Sequence, residues 1–227
     1  MGFFFKALSA VSRINLPIAD NGKSSPSDWQ LVLARALVAV IYAAAAALIL
    51  WLMPENRLVA ALLATAATIA LRNYLSLPSE RSGLIEVSLH LTPETTHQVE
   101  QAAYQHAIFN LVLVARPICI FLLLLNCNFL WLIAAAALSY AVAIASVKDD
   151  APGEWVSAVA VTLAVGAISS KVCNTLSGMF FISIIGCIIC WLLSFAIARV
   201  NFNDRFNSTL YIAEFSALLL GMVGQAF

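Results

Sequence analysis

Seven long apolar runs dominate this chain and restrict what it can fold into. Because bilayer hydrocarbon offers no water to backbone polar groups, a segment of this kind crosses it as a helix of about 20 largely apolar residues. Two runs are short, so we expect six or seven transmembrane helices in an all-α bundle that forms a single membrane domain over residues 1–227. The runs cover 31–53, 57–72, 107–125, 129–147, 153–170, 176–199 and 209–227, of which 57–72 and 153–170 are the short ones.

Composition supports the membrane class and narrows the partners. Hydrophobic residues make up 62% of the chain and charged residues 11%, whereas a soluble domain carries about 25% charged residues. Mean hydropathy is +0.92. The formal net charge is zero, which gives no electrostatic attraction for nucleic acid. The expected partner is therefore the lipid bilayer. The sequence is compatible with either a monomer or a homo-oligomer.

The distribution of basic residues predicts the orientation of the chain. Cytoplasmic segments of membrane proteins carry an excess of lysine and arginine. With seven spans and a cytoplasmic amino terminus, the opposite side would hold only Arg57 and Lys171. The cytoplasmic side would then hold Lys6, Arg13, Lys23, Arg72, Arg81, Lys148, Arg199 and Arg205. This asymmetry predicts that the amino terminus and the 73–106 polar loop lie in the cytoplasm. For a bacterial source, the expected location is the inner membrane.

The predicted loop concentrates the polar groups that could carry chemistry. It holds all three histidines of the chain, together with several glutamates. Thr92-Pro93-Glu94 is typical of a helix start, so we expect a helix that continues into the third span, with Glu94 and His97 on one face. Since no H-x-x-x-H spacing occurs, we interpret the histidines as interfacial residues rather than zinc ligands.

Two arginines lie inside predicted spans. Arg35 is one turn into the first span, where its side chain could reach the interface. Arg116 is near the middle of the third span and precedes Pro117, and an arginine at that depth needs a partner or a wet cavity. The one carboxylate inside another span is Glu214, so we predict that Arg116 and Glu214 face each other. Paired intramembrane charges also occur in transporters, but no internal repeat accompanies them here.

The order of features resembles the cobalamin synthase family, the adenosylcobinamide-GDP ribazoletransferases, over nearly the whole length. In that family's cytoplasmic loop the motif D-G-L-A-D-T-x-D-G matches residues 82–90. The Gly83-Leu84 core is kept, while Ser82, Glu86 and Leu89 stand at the aspartate positions. The other matching segments are 5–9, 12–17, 25–26, 33–37, 92–94, 206–210 and 214–215.

The resemblance implies an activity and a set of site residues. The family joins α-ribazole to GDP-activated cobinamide with release of GMP, and such a transfer at a diphosphate uses Mg²⁺. Corrinoid and nucleotide substrates would then be partners. The implied metal ligand is Glu86, the implied catalytic residues are Glu86, Glu94 and His90, and the implied substrate-binding residues are Asp204, Arg205, Glu214 and Arg116. Since two of the three motif aspartates are replaced by uncharged residues, the alternative is an inactive membrane homologue that acts as an assembly partner, binding module or carrier.

Overall fold

The computed structural model describes residues 2–14, 25–77, 80–91, 98–148, 152–172, 178–197, 199–200 and 202–223. Within these ranges the chain is entirely helical, with turns between the helices. The helices are α1 (Gly2–Val11), α2 (Asp28–Leu52), α3 (Arg57–Leu75), α4 (Glu80–His90), α5 (Gln98–Leu125), α6 (Trp131–Val147), α7 (Pro152–Val172), α8 (Gly178–Ile197) and α9 (Arg205–Val223).

In the described residues each predicted apolar run contains a helix, and five of these helices contain a segment long and apolar enough to cross a membrane. The five segments are Asp28–Leu52, Arg57–Leu75, Tyr104–Leu125, Phe180–Ile197 and Arg205–Val223. The two others, Trp131–Val147 and Glu154–Ser169, are shorter apolar helices. The described residues therefore form an all-helical membrane protein with at least five candidate spans.

Helix α6 lies at the centre of the bundle, against α2, α7, α8 and α9. Nearly all of its side chains are buried, and many of them are alanines. Such small side chains allow the neighbouring helix backbones to approach closely. At its start, the fully buried Trp131 donates a hydrogen bond from Nε1 to the carbonyl oxygen of Ala217, at 2.7 Å. This contact fixes α9 against the bundle centre, and α9 carries Glu214.

In its described residues, the predicted polar loop contains two helical segments, α4 and the first part of α5. Helix α4 packs on α5 and α9. Gly83 makes that packing close: a Cβ at this position would collide with the backbone of Asn207 and would lie 2.8 Å from the amide nitrogen of Ser208. The predicted helix start at Thr92-Pro93-Glu94 and the pairing of Glu94 with His97 fall outside the described residues.

The amino-terminal helix completes this end of the bundle. Helix α1 packs on α2, and the amide of Arg13 donates to the carbonyl oxygen of Leu75 at 2.9 Å. The ends of α1 and α3 and the start of α4 therefore meet near the first turns of α2. This is where the charged residues of the bundle gather.

Candidate functional site

Arg116 and Glu214 form an ion pair, as the sequence predicted. Nη2 of Arg116 contacts Oε2 of Glu214, and the two side chains are 13% and 8% exposed. The guanidinium also lies over the ring of Tyr211, 5.4 Å from its centroid, a geometry that adds cation–π attraction. Helices α5 and α9 are thus joined by a buried charge contact.

Glu214 has a second arginine partner, which the sequence predicted only as one of the cytoplasmic basic residues. Arg72 lies in the last turn of α3 and is 9% exposed. Its Nε donates to Oε1 of Glu214 at 3.0 Å, and its Nη2 donates to Oε2 at 2.6 Å. Such a bidentate pair is stronger and more directional than a single contact.

The expectation that Arg35 reaches the membrane interface was wrong. Arg35 is 3% exposed, and it donates to both carboxylate oxygens of Glu80, at 2.8 and 2.9 Å. It also donates to the carbonyl oxygen of Val11 at 3.3 Å. Because α1 and α4 fold over this end of α2, a nearby protein carboxylate and carbonyl take the place of water.

These five residues form one connected network, which we call the charge cluster. Glu80 links its two halves, since its Oε2 also lies 3.7 Å from Nη2 of Arg72. The members come from α2, α3, α4, α5 and α9: Arg35, Arg72, Glu80, Arg116 and Glu214. With three arginines and two glutamates, the cluster carries one excess positive charge. A buried charge of this kind is costly unless it is compensated.

A cavity of about 400 Å³ opens beside the charge cluster. Its polar part is formed by Arg72, Glu80 and Arg116, together with Asn73 and Ser76. The rest of its lining is mainly apolar: Ile69, Leu77, Leu84, Ile85, Phe109, Leu113, Pro117, Ile120 and Tyr211. Mainly apolar walls with a few convergent polar groups are typical of small-molecule sites, and the volume lies in their usual range.

Glu86, the residue that the resemblance assigns to metal binding, is 7% exposed and holds the start of α9. Its Oε1 accepts a hydrogen bond from the amide of Asn203, and its Oε2 accepts from the amide of Asp204 and the hydroxyl of Ser208, both at 2.8 Å. Burial raises the pKa of Glu86, but the hydrogen bonds from Ser208, Asp204 and Asn203 outweigh it and leave this pKa below its usual value. Glu86 is thus held as a carboxylate, with three donors on its two oxygens.

The other implied site residues have local partners. Asp204 accepts hydrogen bonds from the amide and the side chain of Asn207. Arg205 points one guanidinium nitrogen at the carbonyl oxygen of Ser146, at 3.5 Å. His90 is exposed; its ring packs against Phe202, with centroids 4.6 Å apart, and its Nδ1 lies 3.3 Å from the carbonyl oxygen of Glu86. Glu94 lies outside the described residues.

The arrangement around Glu86 does not match the oxygen ligands that Mg²⁺ requires. This ion takes six oxygen ligands in octahedral geometry and is usually held by one or two carboxylates together with phosphates and waters. An ionised carboxylate has about four lone-pair directions, and Glu86 uses three of them. Among the described residues no three His, Cys, Asp or Glu side chains form a group that could hold a metal ion. Mg²⁺ binding stays a prediction of the resemblance.

Sequence reasoning found one pair of the charge cluster and missed the rest. Arg116 and Glu214 were recognisable because both interrupt apolar runs. Arg72 and Glu80 lie at the ends of helices, where charged residues normally meet solvent, so their burial carried no signal. The packing of α4 on α5 and α9 brings Glu80 towards Arg35.

No protein-family model, curated protein or solved structure matches this chain. Its class therefore rests on its own fold and site. The described residues define an all-helical membrane protein with a buried, arginine-rich charge cluster beside a mainly apolar cavity.

Proposed function

We propose that this protein is a multi-span membrane protein of the cobalamin-synthase type that binds a ligand without catalysing the transferase reaction. It acts as a binding module or carrier, and the cavity beside the charge cluster is its binding site. The combination of buried arginines and apolar walls supports binding. The protein would then share the fold of the cobalamin synthases but lack their activity.

The proposal that the protein binds without transfer is supported by the hydrogen bonds of Glu86. In the family motif this position is one of several carboxylates, which can share a metal ion. Here Glu86 accepts three hydrogen bonds from residues 203–208, and the neighbouring motif positions hold Ser82 and Leu89. A carboxylate that holds the start of a helix in this way stabilises the fold, and only about one of its four lone-pair directions is left for a metal ion.

We further infer seven spans, with the amino-terminal end and the 73–106 segment in the bacterial cytoplasm. Helix α6 has 17 residues, which at 1.5 Å per residue gives roughly 26 Å, close to the thickness of bilayer hydrocarbon. Single-cysteine variants test the orientation. A cysteine replacing the exposed Lys148 should react with an impermeant maleimide only in lysed cells, and one replacing the exposed Glu55 should react in intact spheroplasts. The reverse pattern would contradict it.

A second candidate is the transferase itself, which Arg72 and Arg116 favour. Both line the cavity, and cationic side chains of this kind hold phosphates during group transfer. The two candidates differ in one outcome, whether the chain supports formation of the complete corrinoid.

Complementation separates them. The chain is expressed in cells that lack their own cobalamin synthase, and corrinoid is measured by mass spectrometry, with a cobalamin synthase at equal expression as the positive control. We expect no product above the empty vector. Restored formation that Glu86→Ala abolishes and the exposed-site control Glu55→Ala leaves intact would establish the transferase instead.

A further inference from the structure

The excess charge of the cluster calls for an anion. Ion-pair contacts in the described part of the chain give three arginines two carboxylates to share. In a membrane-embedded bundle the surrounding hydrocarbon compensates no charge, so an unbalanced arginine is expensive. A bound anion beside Arg72 and Arg116 would balance the cluster.

Arg116 has donor capacity left to bind that anion. Its Nη2 is paired with Glu214, but its Nε is buried without a hydrogen-bond partner among the described residues. A buried donor with no acceptor costs about 1–3 kcal/mol. Since Arg116 also lines the cavity, an anionic group in the cavity could accept a hydrogen bond from this Nε.

The remainder of the cavity fits an apolar body, and its rim is apolar as well. Leu113 and Ile85 line the cavity and are 46% and 53% exposed. Next to Leu113 on α5, the side chains of Leu111, Val114 and Ile118 are also exposed. In a membrane such a face contacts lipid, so the cavity is reached from the hydrocarbon as well as from its polar end.

We propose that this cavity binds an anionic amphiphile from the bilayer, with its phosphate or carboxylate at Arg116 and Arg72 and its apolar chain between Leu84, Phe109 and Leu113. This proposal rests on the proposed binding function and names its ligand class. An anionic phospholipid and a fatty acid share this chemistry. A free phosphate lacks the apolar chain that the cavity walls would contact.

Native mass spectrometry of the full chain in detergent tests the proposal. Delipidated protein is titrated with phosphatidylglycerol, oleate, phosphatidylcholine and inorganic phosphate in parallel. We expect the first adduct of phosphatidylglycerol or oleate to form at least tenfold more tightly than that of phosphatidylcholine, because charge-assisted hydrogen bonds contribute this much. Inorganic phosphate should not compete at equal concentration. Tighter binding of phosphatidylglycerol would indicate a phosphate head group, and tighter binding of oleate would indicate a carboxylate.

Matched variants locate the site. Arg116→Gln should remove the preference, whereas Arg199→Gln, the same change at an exposed residue, should keep it. Leu113→Trp should block the cavity with the charge cluster intact, and Leu111→Trp, on the same helix but outside the lining, should not. Should Arg116→Gln fail to fold, the tryptophan pair decides.

Three results would overturn the proposal: equal binding of phosphatidylcholine, full competition by inorganic phosphate, or binding that survives Leu113→Trp. These outcomes are independent of the complementation result, because that experiment measures corrinoid product. Restored corrinoid formation would contradict the proposed function, whereas binding of the amphiphile would still be decided by the mass-spectrometry titration.

Discussion

Arg72 and Glu214 are 142 positions apart in the chain and are joined by two hydrogen bonds, of 3.0 and 2.6 Å. This contact ties the end of α3 to the middle of α9, and Arg116 adds α5 to the same carboxylate. Glu214 therefore compensates two arginines. The stability of the bundle and the electrostatics of the cavity depend on the same residue.

Removing the charge of Glu214 should be strongly destabilising. Glu214→Gln leaves Arg72 and Arg116 buried with an uncharged partner, and breaking a buried ion pair costs about 3–5 kcal/mol. The free energy of unfolding in a denaturing-detergent titration measures this, with the exposed Glu55→Gln as the control. Equal stability of the two variants would contradict the shared pairing.

Exchanging Arg116 and Glu214 should restore little of that loss. The double variant Arg116→Glu, Glu214→Arg places an arginine at 214, where it would face Arg72. Like charges at this distance repel, so a simple two-residue pair is the wrong description. A double variant as stable as the native protein would show that Arg72 contributes nothing to the contact.

The bidentate contact of Arg35 with Glu80 predicts that lysine cannot replace this arginine. Lysine carries the same charge but lacks the planar fork that matches a carboxylate. We expect Arg35→Lys to lower the free energy of unfolding by about 1.5–3 kcal/mol. Arg199→Lys, at an exposed site, should change it by less than about 0.5 kcal/mol. Equal small effects would mean that the fork geometry is unimportant.

Close packing of α4 on α9 depends on Gly83. An alanine there would meet the backbone of Asn207 and Ser208, which cannot move aside as a flexible side chain could. We expect Gly83→Ala to destabilise by about 1–3 kcal/mol. Gly186→Ala is the matched control, because a Cβ there would make ordinary contacts of 3.8 Å or more with Trp131 and Leu138. Thermal unfolding compares the two, and a tolerated Gly83→Ala would refute the packing.

The lowered pKa of Glu86 predicts a pH-dependent contribution to stability. Because its pKa is lower in the folded state, Glu86 stabilises the protein fully above its unfolded pKa, near 4.5. This contribution is lost as the pH falls through the folded-state value. We expect Glu86→Gln to destabilise by about 1–3 kcal/mol at pH 7, with a difference from the native protein that shrinks below about pH 4.5. A difference that is constant down to pH 3 would contradict the helix-capping role.

The apolar runs of the sequence predicted which segments form long helices. Each predicted run contains a helix in its described residues, since an apolar run in a membrane has few other ways to satisfy its backbone polar groups. The boundaries moved: the run 57–72 became the 19-residue helix α3. For the site, the Arg116–Glu214 pair was found from its depth in the spans. Arg35 was misplaced, because its burial depends on α1 and α4 folding over it, and nothing in the first span indicates that.

The role of Glu86 shows why motif position alone did not settle the site. The resemblance aligns residue 86 with an acidic position of the motif, and a carboxylate can bind a metal ion or accept backbone hydrogen bonds. Which of these it does depends on where residues 203–208 come to lie, and this is set by the packing of α4 on α9. Gly83 is one residue on which that packing depends.

Release of GMP distinguishes binding alone from transfer. Purified protein in lipid nanodiscs is incubated with GDP-activated corrinoid, α-ribazole and Mg²⁺, and GMP is measured by chromatography beside a cobalamin synthase. We predict GMP release no greater than in protein-free nanodiscs. Mg²⁺-dependent release that Glu86→Ala abolishes would contradict this account.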